Sequence, residues 1–204
     1  MPAGPSLGDM AETGSQEELE QRLALIGPED TARGIFFNAA LQVVRDEGDA
    51  AALERCHEAA GGGRFMSFFS YPVGALNQLL YAAAWALSPK HGGFDAAMRH
   101  LGQQLVPDYL ESPAGRALRM LAGGEPRRTL HSLPSSYRAT VRHGACVVRG
   151  LTLNAGTLAF TGCALPTAYL EGAVRGVFDS MRIGKAKVVG QRLSPGDTEI
   201  VVTW

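Results

Sequence analysis

The side chains best suited to chemistry in this chain are its cysteines and histidines, and their spacing decides what they can do together. Cys56, His57 and Glu58 are consecutive, so on a helix they point in different directions and cannot close on one ion. His91, His100, His131 and His143 lack the i, i+4 pairing of a helical zinc site, and no metal site is expected. Phosphate chemistry has no support either. No Gly-rich loop ends in Gly-Lys-Ser or Gly-Lys-Thr, and Gly61-Gly62-Gly63 runs into aromatic residues instead of opening a helix. A G-x-S-x-G nucleophile elbow is also missing. With no catalytic motif, a non-enzymatic role is expected and no catalytic residue is assigned. Cys163 precedes the strongest helical pattern of the chain, where a helix N-terminus could stabilise a thiolate. Cys56 and Cys146 read as small buried thiols. Phe65, Phe68, Phe69, Tyr71, Tyr81 and Trp85 concentrate aromatic surface within two short stretches. They are the candidate pocket for an apolar ligand, the alternatives being plain core or a homodimer surface.

The elements that must position these residues follow from periodicity and caps. Residues 1–14 carry no apolar period and read as a disordered tail. Ser15 and Glu18 have capping-box spacing and open a short helix, 16–26. Asp30 or Thr31 is expected to cap a second helix carrying Ile35, Phe36, Ala39, Ala40, Val43 and Val44, which ends at Gly48. A third helix runs from Asp49 to about residue 60. Pro72 forces Tyr71 out of the helical region and begins a helix over 72–87. Further helices are expected from Phe94 to Pro107, from Ser112-Pro113 to Gly123, and over 127–133.

After Pro134 the pattern changes to alternating, Val- and Thr-rich stretches over 138–149 and 157–162, which predict a hairpin. An amphipathic helix follows over 166–181, its apolar stripe holding Tyr169, Leu170, Val174, Val177 and Phe178. Glu171, Arg175 and Asp179 are expected as exposed ion pairs on its far side. Gly172 and Gly176 would let another element approach its backbone. Residues 185–193 and 198–204 form a second hairpin around Ser194-Pro195-Gly196-Asp197. The expected class is α+β: a helical layer (15–134) on a four-stranded antiparallel sheet built in β-β-α-β-β order (135–204), as one domain.

Composition sets the outer limits. The chain has 204 residues, 46% hydrophobic and 19% charged, enough for one well-cored domain. Its longest apolar stretch, 73–87, is interrupted by Asn77 and Gln78 and falls short of the ~18 residues of a membrane helix. With an acidic N-terminus and three widely spaced cysteines, a cytoplasmic location is expected. The net charge of −1 conceals an asymmetry, since residues 113–204 carry 12 basic and 5 acidic side chains while residues 1–34 carry 2 and 7. Pairing between the halves explains this better than nucleic acid, because the arginines are dispersed and no nucleic-acid motif accompanies them.

Particular residues add a resemblance. Asp30-Thr31-Ala32-Arg33-Gly34-Ile35-Phe36-Phe37, Tyr71-Pro72-Val73, His100-Leu101-Gly102, Leu133-Pro134 with Tyr137, Tyr169-Leu170-Glu171-Gly172 and Trp204 resemble a large paralogous family of uncharacterised small proteins of myxobacteria. At the level of fold, that family is similar to the superfamily of haem NO-binding (H-NOX-like) sensor domains, Bet3-type subunits of the TRAPP Golgi tethering complexes and four-vinyl-reductase domains. The resemblance implies a helical layer over a four-stranded sheet, with a ligand-accessible apolar cavity. Sensor relatives place a proximal histidine shortly before the first hairpin, where this chain has His131. They also carry a tyrosine-serine-arginine signature after the second strand, where this chain reads Cys163-Ala164-Leu165-Pro166-Thr167-Ala168-Tyr169. Bet3-type relatives can carry an acyl chain on a cysteine, which directs attention to Cys163. The expectation is a regulatory or sensory module without a cofactor, acting through a protein partner, a homodimer or a small apolar ligand. Haem sensing through His131, acylation at Cys163 and binding of an anionic partner by the basic half stand as alternatives.

Overall fold

The computed structural model describes residues 10–183 and 186–204, and its chain order is α1 (Gln16–Leu23), β1 (Thr31–Arg33), α2 (Gly34–Glu47), α3 (Ala50–Ala59), β2 (Ser70–Pro72), α4 (Val73–His91), α5 (Phe94–Glu111), α6 (Pro113–Ala122), α7 (Pro126–Thr140), β3 (Val141–Arg142), β4 (Ala145–Arg149), β5 (Ala155–Thr161), α8 (Thr167–Ser180), β6 (Lys187–Arg192) and β7 (Thr198–Thr203). The last four strands form one antiparallel sheet in the order β4-β5-β7-β6, with α8 between its two hairpins. The fold is therefore α+β with the expected β-β-α-β-β tail. Strand alternation sends Leu158, Phe160, Val188, Ile200 and Val202 into the core, while Val147, Val189 and Val201 face outward. None of the described helices is long and apolar enough to cross a membrane.

Helices α7 and α8 cover the inner face of the sheet, α5 packs across α8, and α2 and α4 lie behind α5. The α5–α8 crossing depends on glycines in both helices. A Cβ at Gly102 would stand 2.2 Å from the Tyr169 carbonyl oxygen, and one at Gly172 would stand 2.0 Å from that of Arg99. The small-residue stripe of α8 is thus filled by the backbone of α5.

Several local expectations give way to tertiary structure. Asp30 caps no helix: residues 31–33 form β1, the centre of a small antiparallel sheet ordered β2-β1-β3, and α2 starts only at Gly34. There the backbone passes so close to the Met66 carbonyl that a Cβ would lie 2.3 Å from its oxygen. Pro89, Pro107 and Pro134 sit inside α4, α5 and α7 instead of ending them. A proline removes one helical hydrogen bond, and buried side chains on both sides, such as Leu105, Val106, Tyr109 and Leu110 around Pro107, hold the helix through it. Helix α7 accordingly reaches Thr140, well past the expected 127–133. Its second half is anchored by the Tyr109–Ser136 hydroxyl pair and by Tyr137, whose hydroxyl donates to the His143 carbonyl at 2.6 Å.

The expected tail, 1–14, falls for residues 1–9 outside the described residues. Residues 10–14 are tied to the fold. Ala11 is buried and its carbonyl accepts from Arg192 at 2.7 Å, and the Gly14 carbonyl accepts from the Trp85 indole at 2.8 Å. Half of the capping box forms as expected, with Ser15 Oγ taking the Glu18 N–H at 3.0 Å, but the Glu18 carboxylate takes the Gly14 N–H at 2.7 Å because the Ser15 N–H is already given to the Glu12 carbonyl.

Candidate functional site

The three layers leave a cavity of about 90 Å³ where α5, α7 and α8 meet the sheet. Its walls come from Leu105, Val106 and Tyr109 of α5, Leu133, Ser136, Tyr137 and Thr140 of α7, and Tyr169, Leu170, Ala173, Val174 and Val177 of α8. Phe36, Val141, Cys146, Leu158, Phe160 and Leu165 complete them. On α7 the lining positions 133, 136, 137 and 140 repeat at helical spacing, so one face of that helix forms the wall. The polar groups at the rim are engaged: Tyr109 with Ser136, and Tyr137 with the His143 carbonyl and with Cys163 Sγ at 3.2 Å. Burial pushes the Tyr109 and Tyr137 hydroxyls above the ordinary tyrosine range and the Cys146 thiol up to about 12, so no wall residue offers an anion.

His131 is not part of this site. It lies two residues from Leu133, roughly 200° round the helix, and is exposed beside Arg127, Arg128 and Leu151. Cys163 is buried and follows β5, with α8 starting only at Thr167. Burial pushes its thiol up despite the hydrogen-bonded contact with the Tyr137 hydroxyl, contrary to the helix-stabilised thiolate expected there. His143 is consumed by structure, its Nδ1 3.0 Å from Asp30 Oδ2 and its Nε2 accepting the Ala164 N–H at 2.8 Å.

The six aromatic residues do not form one pocket. Phe65 stacks on Phe37 and Tyr71 meets it edge-on, with centroids 4.4 Å and 5.6 Å from it. Tyr81 and Trp85 instead meet Phe94, at 5.1 Å and 6.4 Å. Phe68 and Phe69 are 69% and 59% exposed. Glu171, expected on a solvated face, is buried and bonded to Arg99, Arg175 and the Gly190 N–H, binding α5, α8 and β6 together. A second polar hub links the chain's ends. Arg22 is fully enclosed, paired with Glu18 at 2.9 Å and donating to the carbonyls of Ala164, Leu165 and Pro195, while Arg192 joins Glu18 from β6 at 2.6 Å. The basic half thus spends part of its charge inside the molecule.

Sequence spacing missed one cluster. Glu47, His91 and His100, from three different helices, bring their ligand atoms within 4.8 Å of one another, where no metal-binding group was expected. Only tertiary contact creates this proximity.

Comparison with known proteins agrees with the architecture. The profile of a family described as a protein of unknown function, DUF2378, matches residues 25–204. No protein of curated function matches the chain. Among solved structures, the Fe(II) unliganded H-NOX protein from K. algicida is 16% identical, with a TM-score of 0.56 over 84% of this chain and 95% of that one. An H-NOX protein from S. oneidensis in the Fe(II)NO ligation state is 12% identical, with a TM-score of 0.60 over 83% and 97% of the two chains. A structure described by the modulation of haem redox potential through porphyrin distortion is 10% identical, with a TM-score of 0.57 over 84% and 99%. At these identities the likeness is one of fold.

Proposed function

We propose that this chain, which belongs to the DUF2378 family and has an H-NOX-like fold, is a sensory domain that takes a small apolar molecule into the cavity between α5, α7, α8 and the sheet. The observation that carries the proposal is the cavity itself, walled by Leu105, Val106, Leu133, Leu158, Val174 and Val177 and bordered by hydroxyls already paired with protein groups. An apolar pocket with its few polar groups already paired favours an apolar guest over a polar one. At about 90 Å³ it is smaller than the ~150 Å³ cavity that takes benzene or xenon, so the guest is small or the walls yield to admit it.

The second reading is a haem-based sensor, and the H-NOX neighbours support it over a protein-docking module. The residues of this chain do not fit haem at the cavity. No histidine lines it, its tyrosine hydroxyls are paired or pushed up by burial, and its one thiol is held protonated. Its volume is far below that of a porphyrin.

One experiment separates the readings. Methyl spectra of the purified chain are recorded under xenon pressure and, separately, on titration with haemin followed in the visible. Saturable shifts confined to Leu133, Leu158, Val174 and Val177, abolished by Val177→Phe, support the apolar guest. A one-to-one Soret band lost in His131→Ala supports haem and removes the first reading. Shifts spread evenly over the surface, with no Soret band, remove both.

A further inference from the structure

We propose that Glu47, His91 and His100 form a binding site for one divalent transition-metal ion, zinc being the best match. The site is distinct from the cavity and independent of what the cavity binds. Glu47 ends α2, His91 ends α4 and His100 lies in the second turn of α5. The two imidazoles point Nε2 at the two oxygens of one carboxylate, His91 at 2.8 Å from Oε2 and His100 at 2.7 Å from Oε1. Their rings stack with centroids 4.3 Å apart and planes inclined by 27°.

This arrangement suits a cation better than it suits two protons. As a hydrogen-bonded cluster, each ring gives the carboxylate one Nε2 proton, and the two nitrogens converge on the same carboxylate. An ion replaces both protons and presents its charge to the carboxylate and to both nitrogen lone pairs. With Zn–N near 2.0–2.1 Å and tetrahedral angles, ligand atoms stand about 3.3 Å apart. One such atom from each residue already lies within 4.8 Å of the other two, so side-chain rotation is enough to bring the three to that separation.

The donor set selects the metal class. Two imidazoles and one carboxylate are borderline ligands that suit zinc and its first-row neighbours, whereas calcium and magnesium require oxygen shells. The side chains are 21%, 21% and 32% exposed, so water can reach the remaining coordination position, as in zinc sites with three protein ligands. Lys90 is the adjacent positive charge. It donates to the Glu47 backbone carbonyl and not to the carboxylate, leaving both carboxylate oxygens for the imidazoles or an ion. Bound there, an ion clamps the ends of α2 and α4 to α5, the helix that also supplies Leu105, Val106 and Tyr109 to the cavity.

The test uses tag-free chain stripped with chelator, titrated with Zn²⁺ by calorimetry and with Co²⁺ by its visible d–d absorption. The expected result is one ion per chain, with an intense tetrahedral cobalt spectrum and a chelator-reversible rise in Tm. His91→Ala/His100→Ala abolishes all three, while His131→Ala leaves them unchanged. Should the double variant not fold, imidazole nitrogen shifts in the wild-type chain decide. Nε2 of His91 and His100 must move on zinc addition while the other histidines stay in place. Binding that is absent, or equal in the double variant, or without effect on those two rings, overturns the proposal.

Discussion

Asp30 and His143, distant in sequence, are joined by a 3.0 Å contact between Oδ2 and Nδ1, and the opposite nitrogen of the same ring accepts the Ala164 N–H. Because Nε2 accepts, the ring proton sits on Nδ1 and is donated to Asp30. One imidazole therefore fastens the start of β1 to the β3–β4 turn and to the segment before α8. His143→Ala leaves the buried Ala164 N–H without an acceptor, a loss of about 1–3 kcal/mol. Asp30→Asn, which keeps an oxygen acceptor for Nδ1–H, costs less. Urea midpoints of the two single variants and the double variant check this. Additive losses would show that the pair is not coupled.

How far such links can be read from sequence depends on their range. Ser15 with Glu18, Gly48 after α2, Ser112-Pro113 before α6 and the alternation of β4 to β7 are local, and each appears where propensity places it. The β-β-α-β-β tail was legible for that reason. The three-residue β1 was not, because Thr31–Arg33 is held as a strand by partners at Ser70–Pro72 and Val141–Arg142. Helix α7 likewise outlasts Pro134 through bonds made by Ser136 and Tyr137 to distant residues. Of the candidate site, Tyr169, Leu170, Val174 and Val177 were already visible as an apolar stripe, but the cavity they enclose requires α5 and α7 to be placed first. Glu47, His91 and His100 carry no sequence signal at all, since no pair of them shares a helix.

The Glu18–Arg22–Arg192 hub predicts a defined acid response. Burial opposes ionisation of Glu18, but the Arg22 guanidinium and the Gly14 N–H outweigh it and hold the carboxyl below the ordinary value of 4.5. A carboxyl depressed in the folded state contributes stability that is complete above its unfolded value and lost as pH falls through its folded one. Glu18→Gln is therefore expected to lower stability at pH 7, with the gap to wild type closing below about pH 4.5. Arg22→Ala, which leaves the buried carboxylate to Arg192 and the Gly14 N–H alone, costs less than the about 3–5 kcal/mol of an uncompensated buried charge at neutral pH. Chemical denaturation at stepped pH measures both. A gap that does not change with pH would rule out the ion pair as its source.

The thiols are expected to be inert in the native chain. Cys56, Cys146 and Cys163 are all buried, and none is in a disulfide. Burial raises the thiols of Cys56 to about 11 and Cys146 to about 12, and that of Cys163 is raised as well. Since the thiolate is the reacting species, a disulfide reagent at pH 8 is expected to react with none of the three before unfolding and with all three in denaturant. Rapid native modification at Cys163, mapped by mass spectrometry, would contradict the enclosed thiol and reopen acylation there.

The α5–α8 crossing gives one substitution opposite signs at two glycines. At Gly172 a methyl group would stand 2.0 Å from the Arg99 carbonyl oxygen and 2.8 Å from its carbon. Both atoms are backbone, so the clash is relieved only by separating the helices, and Gly172→Ala is expected at or beyond the upper end of the usual ~1–3 kcal/mol for overpacking. At Gly74, in the first turn of α4, the nearest atom to an added methyl is Leu23 Cδ2 at 3.7 Å, an ordinary contact. There the alanine removes only the conformational freedom that glycine contributes to the unfolded chain, and Gly74→Ala is expected to stabilise by roughly 0.4–1 kcal/mol. Because α5 and α8 are also two walls of the cavity, Gly172→Ala should broaden the methyl signals of Leu105, Val106, Val174 and Val177, whereas Gly74→Ala should leave them sharp. Thermal midpoints and methyl spectra of the two variants test the crossing directly, and equal effects at both glycines would show that α5 and α8 are not in backbone contact.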